Sequence, residues 1–194
     1  MRPGTRFSRA ESGSVSVEMG LLATIMILLT GGAVEAGWAY YQYSSTQQAA
    51  RHGARLAATL DPVADTLDDA ASAATGFDIT CRGSNQSCDS GSYDSAAMQR
   101  LVFGPDSDRT CGANTRERRG MCDVYGSLAL SDVSVRYTSS GYGGLDPSAN
   151  PAPLVTVTVH ERPLKTVFLG SLLPGKFTTL PEVSATLMGE DLDG

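Results

Sequence analysis

The sequence has no known catalytic or metal-binding motif. Its 194 residues include only two histidines, His52 and His160, and no nucleophile elbow, zinc-protease motif or phosphate loop occurs. The four cysteines form no C-x-x-C pair, which argues against a zinc or dithiol redox site. We therefore expect a protein that is not an enzyme and that binds no metal or cofactor.

Basic charge is also scarce. The chain has 15 Lys and Arg against 21 Asp and Glu, which gives a formal net charge of −6. Proteins that bind nucleic acid need basic patches that contact phosphates. The small arginine cluster in residues 109–120 is interrupted by a glutamate, and we interpret it as a solvated loop. No nucleic-acid partner is expected.

Two further absences characterise the N-terminal part. No charged residue occurs in residues 19–34, and no proline occurs in residues 14–60. The uncharged run predicts a membrane-spanning segment, and the missing prolines predict a single helix over residues 14–60. Such a helix extends roughly 70 Å, of which about 30 Å can lie in hydrocarbon. Trp38 and the tyrosines after it occupy the position of an interfacial aromatic belt.

The distribution of charge predicts the orientation of this helix. Residues 1–13 contain three arginines and one glutamate, a net charge of +2, so residues 14–194 carry −8. The positive-inside rule then leaves residues 1–13 in the cytoplasm as a leader and places the extracytoplasmic domain, residues 61–194, outside. We therefore expect a single-pass protein of the cytoplasmic (inner) membrane, in contact with lipid.

The domain after the helix is predicted to be α+β. A short helix is expected to begin at Asp61, followed by a disulfide-tied loop region over residues 76–126 that contains one further turn of helix. The apolar positions then change to a period of two, which predicts strands in residues 127–130, 133–137, 154–162 and 181–190. We expect a small antiparallel sheet with one face on the outer half of the long helix.

All four cysteines follow the apolar run. An even number of cysteines in an exported segment predicts two disulfides, for which three connectivities are open. Sequential pairing, which closes two short loops, is our preferred interpretation. The candidates are Cys81 with Cys88 and Cys111 with Cys122.

The residues just before the apolar run allow three interpretations. The first is a secretory signal peptide cleaved before Gly37, and the second is a plain signal anchor with Glu18 at the inner membrane edge. The third takes Gly13 and Glu18 together, because the glutamate stands five residues after the glycine and directly before the apolar run.

The stretch from Gly13 to Glu18 resembles the processing site of type IV pilin-like precursors. Around it, residues 9–58 resemble the TadE-like family, the minor pseudopilins of tight-adherence (Tad) pili. Three pieces carry the resemblance, and the closing SATLMGE also fits the usual last strand of the family. The pieces are GSVSVEMGLL, GGAVEAGWAYY and QQAARHGARLAA.

The resemblance implies roles for four residues. A prepilin peptidase would cut between Gly13 and Ser14, so that Ser14 begins the mature chain and the apolar helix is retained. Glu18, then the fifth residue, would serve assembly by pairing with the new α-amino group of a neighbouring subunit. Glu35 matches a glutamate that the family commonly shows near a glycine, and it is assigned either to assembly or to the outer membrane interface.

The function implied is that of a minor pilin with a pilin-like fold. It would join other pilin subunits and the assembly platform in a type IV-like pilus for surface adhesion, at the pilus or cell surface. A role like that of TadG-like or other pseudopilins stays open. The alternative is a secreted or membrane-anchored binding domain whose ligand site lies in the cysteine-tied loops.

Overall fold

A computed structural model describes residues 12–67, 76–104, 111, 119–140, 153–167 and 179–189. Its first element is helix α1, Ser12–Ala57, 46 residues long. At 1.5 Å per residue the helix extends about 70 Å. The structure therefore confirms the long N-terminal helix that the missing prolines predict.

The described part of the body is built around a five-stranded antiparallel sheet. Its strand order is β2-β1-β3-β4-β7, and a separate two-stranded sheet pairs β5 with β6. The strands are β1 (Asp78–Arg82), β2 (Ser87–Cys88), β3 (Val133–Ser139), β4 (Pro153–Val159), β5 (Arg162–Pro163), β6 (Thr179–Leu180) and β7 (Val183–Met188). Two short helices, α2 (Ser95–Phe103) and α3 (Met121–Val124), and a 3-10 turn (Leu130–Asp132) complete it.

The outer half of α1 packs on β4, β7 and α3. It can approach the sheet closely because its contact face consists of small side chains. Gly53 shows how close the contact is, since a methyl group added to it would lie 2.5 Å from Sδ of the buried Met121. The fully or almost fully buried alanines of this face are Ala49, Ala50, Ala54 and Ala57.

The structure confirms three of the predicted strands and corrects the fourth. Alternating residues of β4 face the core along its whole length, as the period of two predicts. In β3 the alternation is interrupted by the buried Ser134, and in β7 it is limited to Val183 and Ala185, because Leu187 is exposed. The strand predicted in residues 127–130 is wrong. The Asp132 carboxylate there accepts a hydrogen bond from the Ala129 N–H at 3.0 Å, which closes a 3-10 turn in place of a strand.

The predicted helix start at Asp61 is also wrong. The Val63 N–H donates to the Tyr137 hydroxyl at 3.0 Å, and Ala64 forms an isolated β-bridge with Tyr93. These contacts hold residues 61–66 in turns and bends. Residues 68–75, where the rest of that helix was predicted, lie outside the described residues.

The region expected to be mostly loop is more regular than the sequence indicates. Strands β1 and β2 form a hairpin in which Cys81 and Cys88 are direct cross-strand partners joined by a disulfide. The second disulfide joins Cys111 to Cys122, so the sequential pairing is confirmed. Helix α2 is the predicted turn of helix, extended to nine residues, and its N-terminus is capped by the Asp94 carboxylate.

Gly83 provides a test of the contact between the hairpin and the rest of the body. A methyl group at this position would lie 1.9 Å from the backbone oxygen of Leu130. A side chain could relieve this clash by changing its rotamer, but a backbone oxygen cannot. We therefore expect Gly83→Ala to lower the free energy of unfolding by about 2 kcal/mol or more. Gly126→Ala, where nothing lies within 4 Å, is the matched control. Equal thermal stability of the two variants would show that the contact is unimportant.

Tyr137 provides a test of the turn that follows α1. Its side chain is fully buried, and burial raises the pKa of Tyr137 to about 12. A raised phenol pKa stabilises the fold below pH 10, and this contribution is lost as the pH rises from about 10 to 12. We expect Tyr137→Phe to cost about 1 to 2 kcal/mol at pH 7, because the Val63 N–H loses its acceptor. Between pH 10 and 12 the free energy of unfolding should also fall less in the variant than in the wild type, because the phenol that ionises there is absent. Urea unfolding at several pH values measures this difference.

Candidate functional site

The inner half of α1 is not covered by the described body. No residue from 15 to 34 is buried, and large apolar side chains project on all sides. The described residues include one helix long and apolar enough to cross a membrane, and this segment is its apolar part. Its exposed large apolar side chains include Leu21, Leu22, Ile25, Leu28 and Leu29.

The predicted processing and assembly residues lie at the start of this segment. Gly13 and Ser14 belong to the first turn of α1, and Glu18 is exposed one turn later. Glu18 and Glu35 are separated by about 25 Å of helix, so the structure does not bring the two carboxylates together. Each of them has to be considered as a separate site.

Glu35 is the first buried residue of α1. The side chain is only 6% exposed, and both carboxylate oxygens accept hydrogen bonds from the Val167 N–H, at 3.0 and 3.1 Å. A hydrogen bond to an ionised carboxylate is stronger than one between neutral groups. Glu35 therefore attaches a distant part of its own chain to α1 at the point where the exposed segment ends.

Gln42 makes a second attachment two turns further along α1. Its side-chain amide donates to the Lys165 carbonyl at 2.8 Å, and its oxygen accepts from the Lys165 N–H at 3.1 Å. The same oxygen is 3.4 Å from the hydroxyl of Tyr125. The Gln42 side chain is 1% exposed. Its amide makes the same pair of hydrogen bonds with the Lys165 backbone that a residue of a neighbouring β-strand would make.

Arg162 holds the other end of the same segment. Its guanidinium lies 3.1 Å from the Asp132 carboxylate, donates to the Ser127 carbonyl, and sits over the Tyr125 ring at 5.0 Å. Residues 162–167, which we call the strap, are therefore fixed at three points. Because residue 165 binds position 42 and residue 167 binds position 35, the strap runs antiparallel to α1 and toward its exposed half.

A shallow groove lies beside the strap. It encloses about 220 Å³ and is open to solvent. Trp38 and Tyr41 form one side, with their rings stacked at a centroid distance of 5.5 Å. Tyr125 and Lys165 also line it. The aromatic residues that the sequence assigns to an interfacial belt are thus part of the same structure as the strap.

The remaining predicted site residues have structural roles in the described part of the chain. The two disulfides tie the β1–β2 hairpin and the start of α3, and no group of three or more potential metal ligands occurs among the described residues. The roles of Gln42 and the strap were not predicted from the sequence. Gln42 could have been found, because it lies seven residues after Glu35 and so shares its helical face. No pattern in the sequence indicates its partner, Lys165.

Comparison with known proteins gives one match. The model of a family described as TadE-like protein matches residues 13–55, a range that begins at Gly13 and ends inside α1. No curated protein and no solved structure matches the chain. TadE-like proteins are associated with Tad pili, and the matched range contains Glu18, Glu35 and Gln42. Residues 13–55 are thus similar to the TadE-like family, which confirms the resemblance found in the sequence.

Proposed function

We propose that this protein is a minor pilin that is processed by a prepilin peptidase and takes part in assembling a Tad-type pilus for surface adhesion. Cleavage between Gly13 and Ser14 leaves the apolar half of α1 on the mature chain. The observation that carries the proposal is this half-helix, which is exposed on all sides and begins beside a single carboxylate, Glu18. Its partners are lipid before assembly and the helices of other subunits afterwards.

The proposed role of Glu18 follows from the low dielectric of a helix bundle. A carboxylate at the membrane edge costs little, but in the middle of packed apolar helices it needs a positive partner. The new α-amino group of Ser14 in a neighbouring subunit supplies that charge. The pair would fix how far one helix is displaced along the next and would help to select the correct register.

Glu35 contributes to assembly indirectly in this proposal. Its carboxylate is already bound to the Val167 N–H of the same chain. It therefore holds the strap on α1 and keeps the body in a fixed position relative to the apolar half-helix. Other pilin subunits and the assembly platform would then meet a subunit with a defined shape at the membrane surface.

The signal-peptide alternative is less consistent with the structure. Cleavage before Gly37 would remove Glu35, which anchors the strap, and would separate the apolar half of α1 from the half that packs on the body. The mature chain would also begin one residue before Trp38, with the stacked aromatic pair at a free end. These contacts favour a protein that keeps the apolar half of α1. The positive-inside rule supports an N-terminus inside and a body outside the cytoplasmic membrane.

Glu18 variants test the assembly role. We expect Glu18→Ala and Glu18→Gln to insert into the membrane normally, because removing a charge does not hinder insertion. Both should reduce the amount of this subunit recovered in sheared pili by about tenfold or more, the equivalent of about 1.4 kcal/mol. Quantitative immunoblots of membrane and pilus fractions measure both effects.

Thr24→Ala is the matched control for these variants. Thr24 is a polar residue in the same exposed segment, but its hydroxyl is satisfied by the Gly20 carbonyl of its own helix at 2.8 Å. We expect this variant to behave as wild type. Wild-type recovery of Glu18→Ala and Glu18→Gln in pili would contradict the assembly role of the carboxylate.

A further inference from the structure

The length of the unpartnered helix constrains where the body sits. Residues 15–34 contain no buried position, and about 20 helical residues extend about 30 Å, the thickness of the hydrocarbon core. The first buried residue, Glu35, follows immediately. If the exposed segment fills the membrane, no length of free helix remains between the outer lipid surface and the body.

Among the described residues of the body, the strap binds α1 at the position nearest to its exposed half, at Glu35. Trp38 and Tyr41, which are 42% and 56% exposed, occupy the level of α1 where an aromatic belt meets the headgroups. Glu35 lies one turn closer to the membrane, and helical side chains lean toward the N-terminus. Val167, bound to the Glu35 carboxylate, therefore lies at or below the level of Trp38.

The exposed chemistry of this end suits a lipid headgroup layer. Val167 is an apolar side chain that is 65% exposed, and Lys165, two residues before it, is also exposed. An exposed valine with a cation and aromatic rings beside it can bury its side chain among acyl-chain ends while the ammonium group contacts phosphates. The backbone of the strap stays satisfied there, because Gln42 and Glu35 bind it.

We propose that the body docks on the outer leaflet of the membrane through a surface formed by Trp38, Tyr41, Lys165 and Val167. Its partner is the glycerophospholipid interface of the same bilayer that α1 crosses. Glu35 is the positioning residue of this surface, since it holds Val167 at the depth of the aromatic pair. The inference rests on the membrane anchoring proposed above, and it adds that the body is not free to tilt away from the lipid.

Tryptophan fluorescence in brominated vesicles tests the docking. Trp38 is the only tryptophan of the chain, so the full-length wild-type protein reports the depth of α1 itself. The docking probe is Val167→Trp in a Trp38→Phe background. The distal control is Thr59→Trp in the same background, because Thr59 is exposed and lies roughly 30 Å further along the helix axis. The vesicles contain phosphatidylethanolamine and phosphatidylglycerol, with bromines placed either near the headgroups or near the chain ends.

We expect shallow bromines to quench the Val167→Trp probe to within about twofold of Trp38, and to leave the Thr59→Trp control unquenched. Adding Glu35→Ala should lower the quenching of the Val167→Trp probe, whereas Glu35→Gln, which keeps an acceptor oxygen, should largely retain it. Circular dichroism and intact disulfides check that each variant folds.

Two results would overturn the docking, and they can be told apart. Quenching of Trp38 without quenching of the Val167→Trp probe means that α1 is anchored but the body stands clear of the lipid. Absence of quenching at both positions rejects the membrane anchoring together with the docking. Retained quenching of the Val167→Trp probe after Glu35→Ala rejects the positioning role of Glu35.

Discussion

The structure depends on one helix whose two halves lie in different environments. From residue 15 to residue 34 its side chains are apolar and exposed, and from Glu35 onward one face is buried against the body. No loop or proline separates the two halves. The depth and rotation of the inner half therefore determine the position of the sheet, the disulfides and the strap.

At the boundary between the two halves, two polar side chains of the helix bind the strap. Glu35 and Gln42 would be unfavourable on a buried helical face without partners. Both are satisfied by backbone groups of the strap, at Val167 and Lys165. At these positions the strap is not paired with another strand. Its backbone groups therefore bind the Glu35 and Gln42 side chains, and these two buried side chains obtain their hydrogen-bond partners from the strap. Further along α1, the buried face contains alanines and Gly53, and these small residues allow the helix to pack closely on the body.

The sequence predicted the parts of this protein that follow from periodicity and from absences. Missing prolines indicate the long helix, the lack of charge in residues 19–34 indicates the exposed half, and the alternation in β3, β4 and β7 indicates the sheet. The β1–β2 hairpin was missed because β2 has only two residues, too few to show a period of two, and the residues around it are of types common in loops. The strap could not be predicted, because contacts such as Gln42 with Lys165 join residues far apart in the chain and leave no local pattern.

The N-terminal residue of the mature protein tests the central claim most directly. The claim is that α1 is kept from Ser14 onward and that its apolar half is exposed for assembly after removal of the leader. Intact mass and N-terminal peptide sequencing of the protein from its own cells should show a chain that begins at Ser14. A chain that begins at Gly37 would contradict the account, because the apolar half-helix, Glu18 and Glu35 would all be absent from the functional protein.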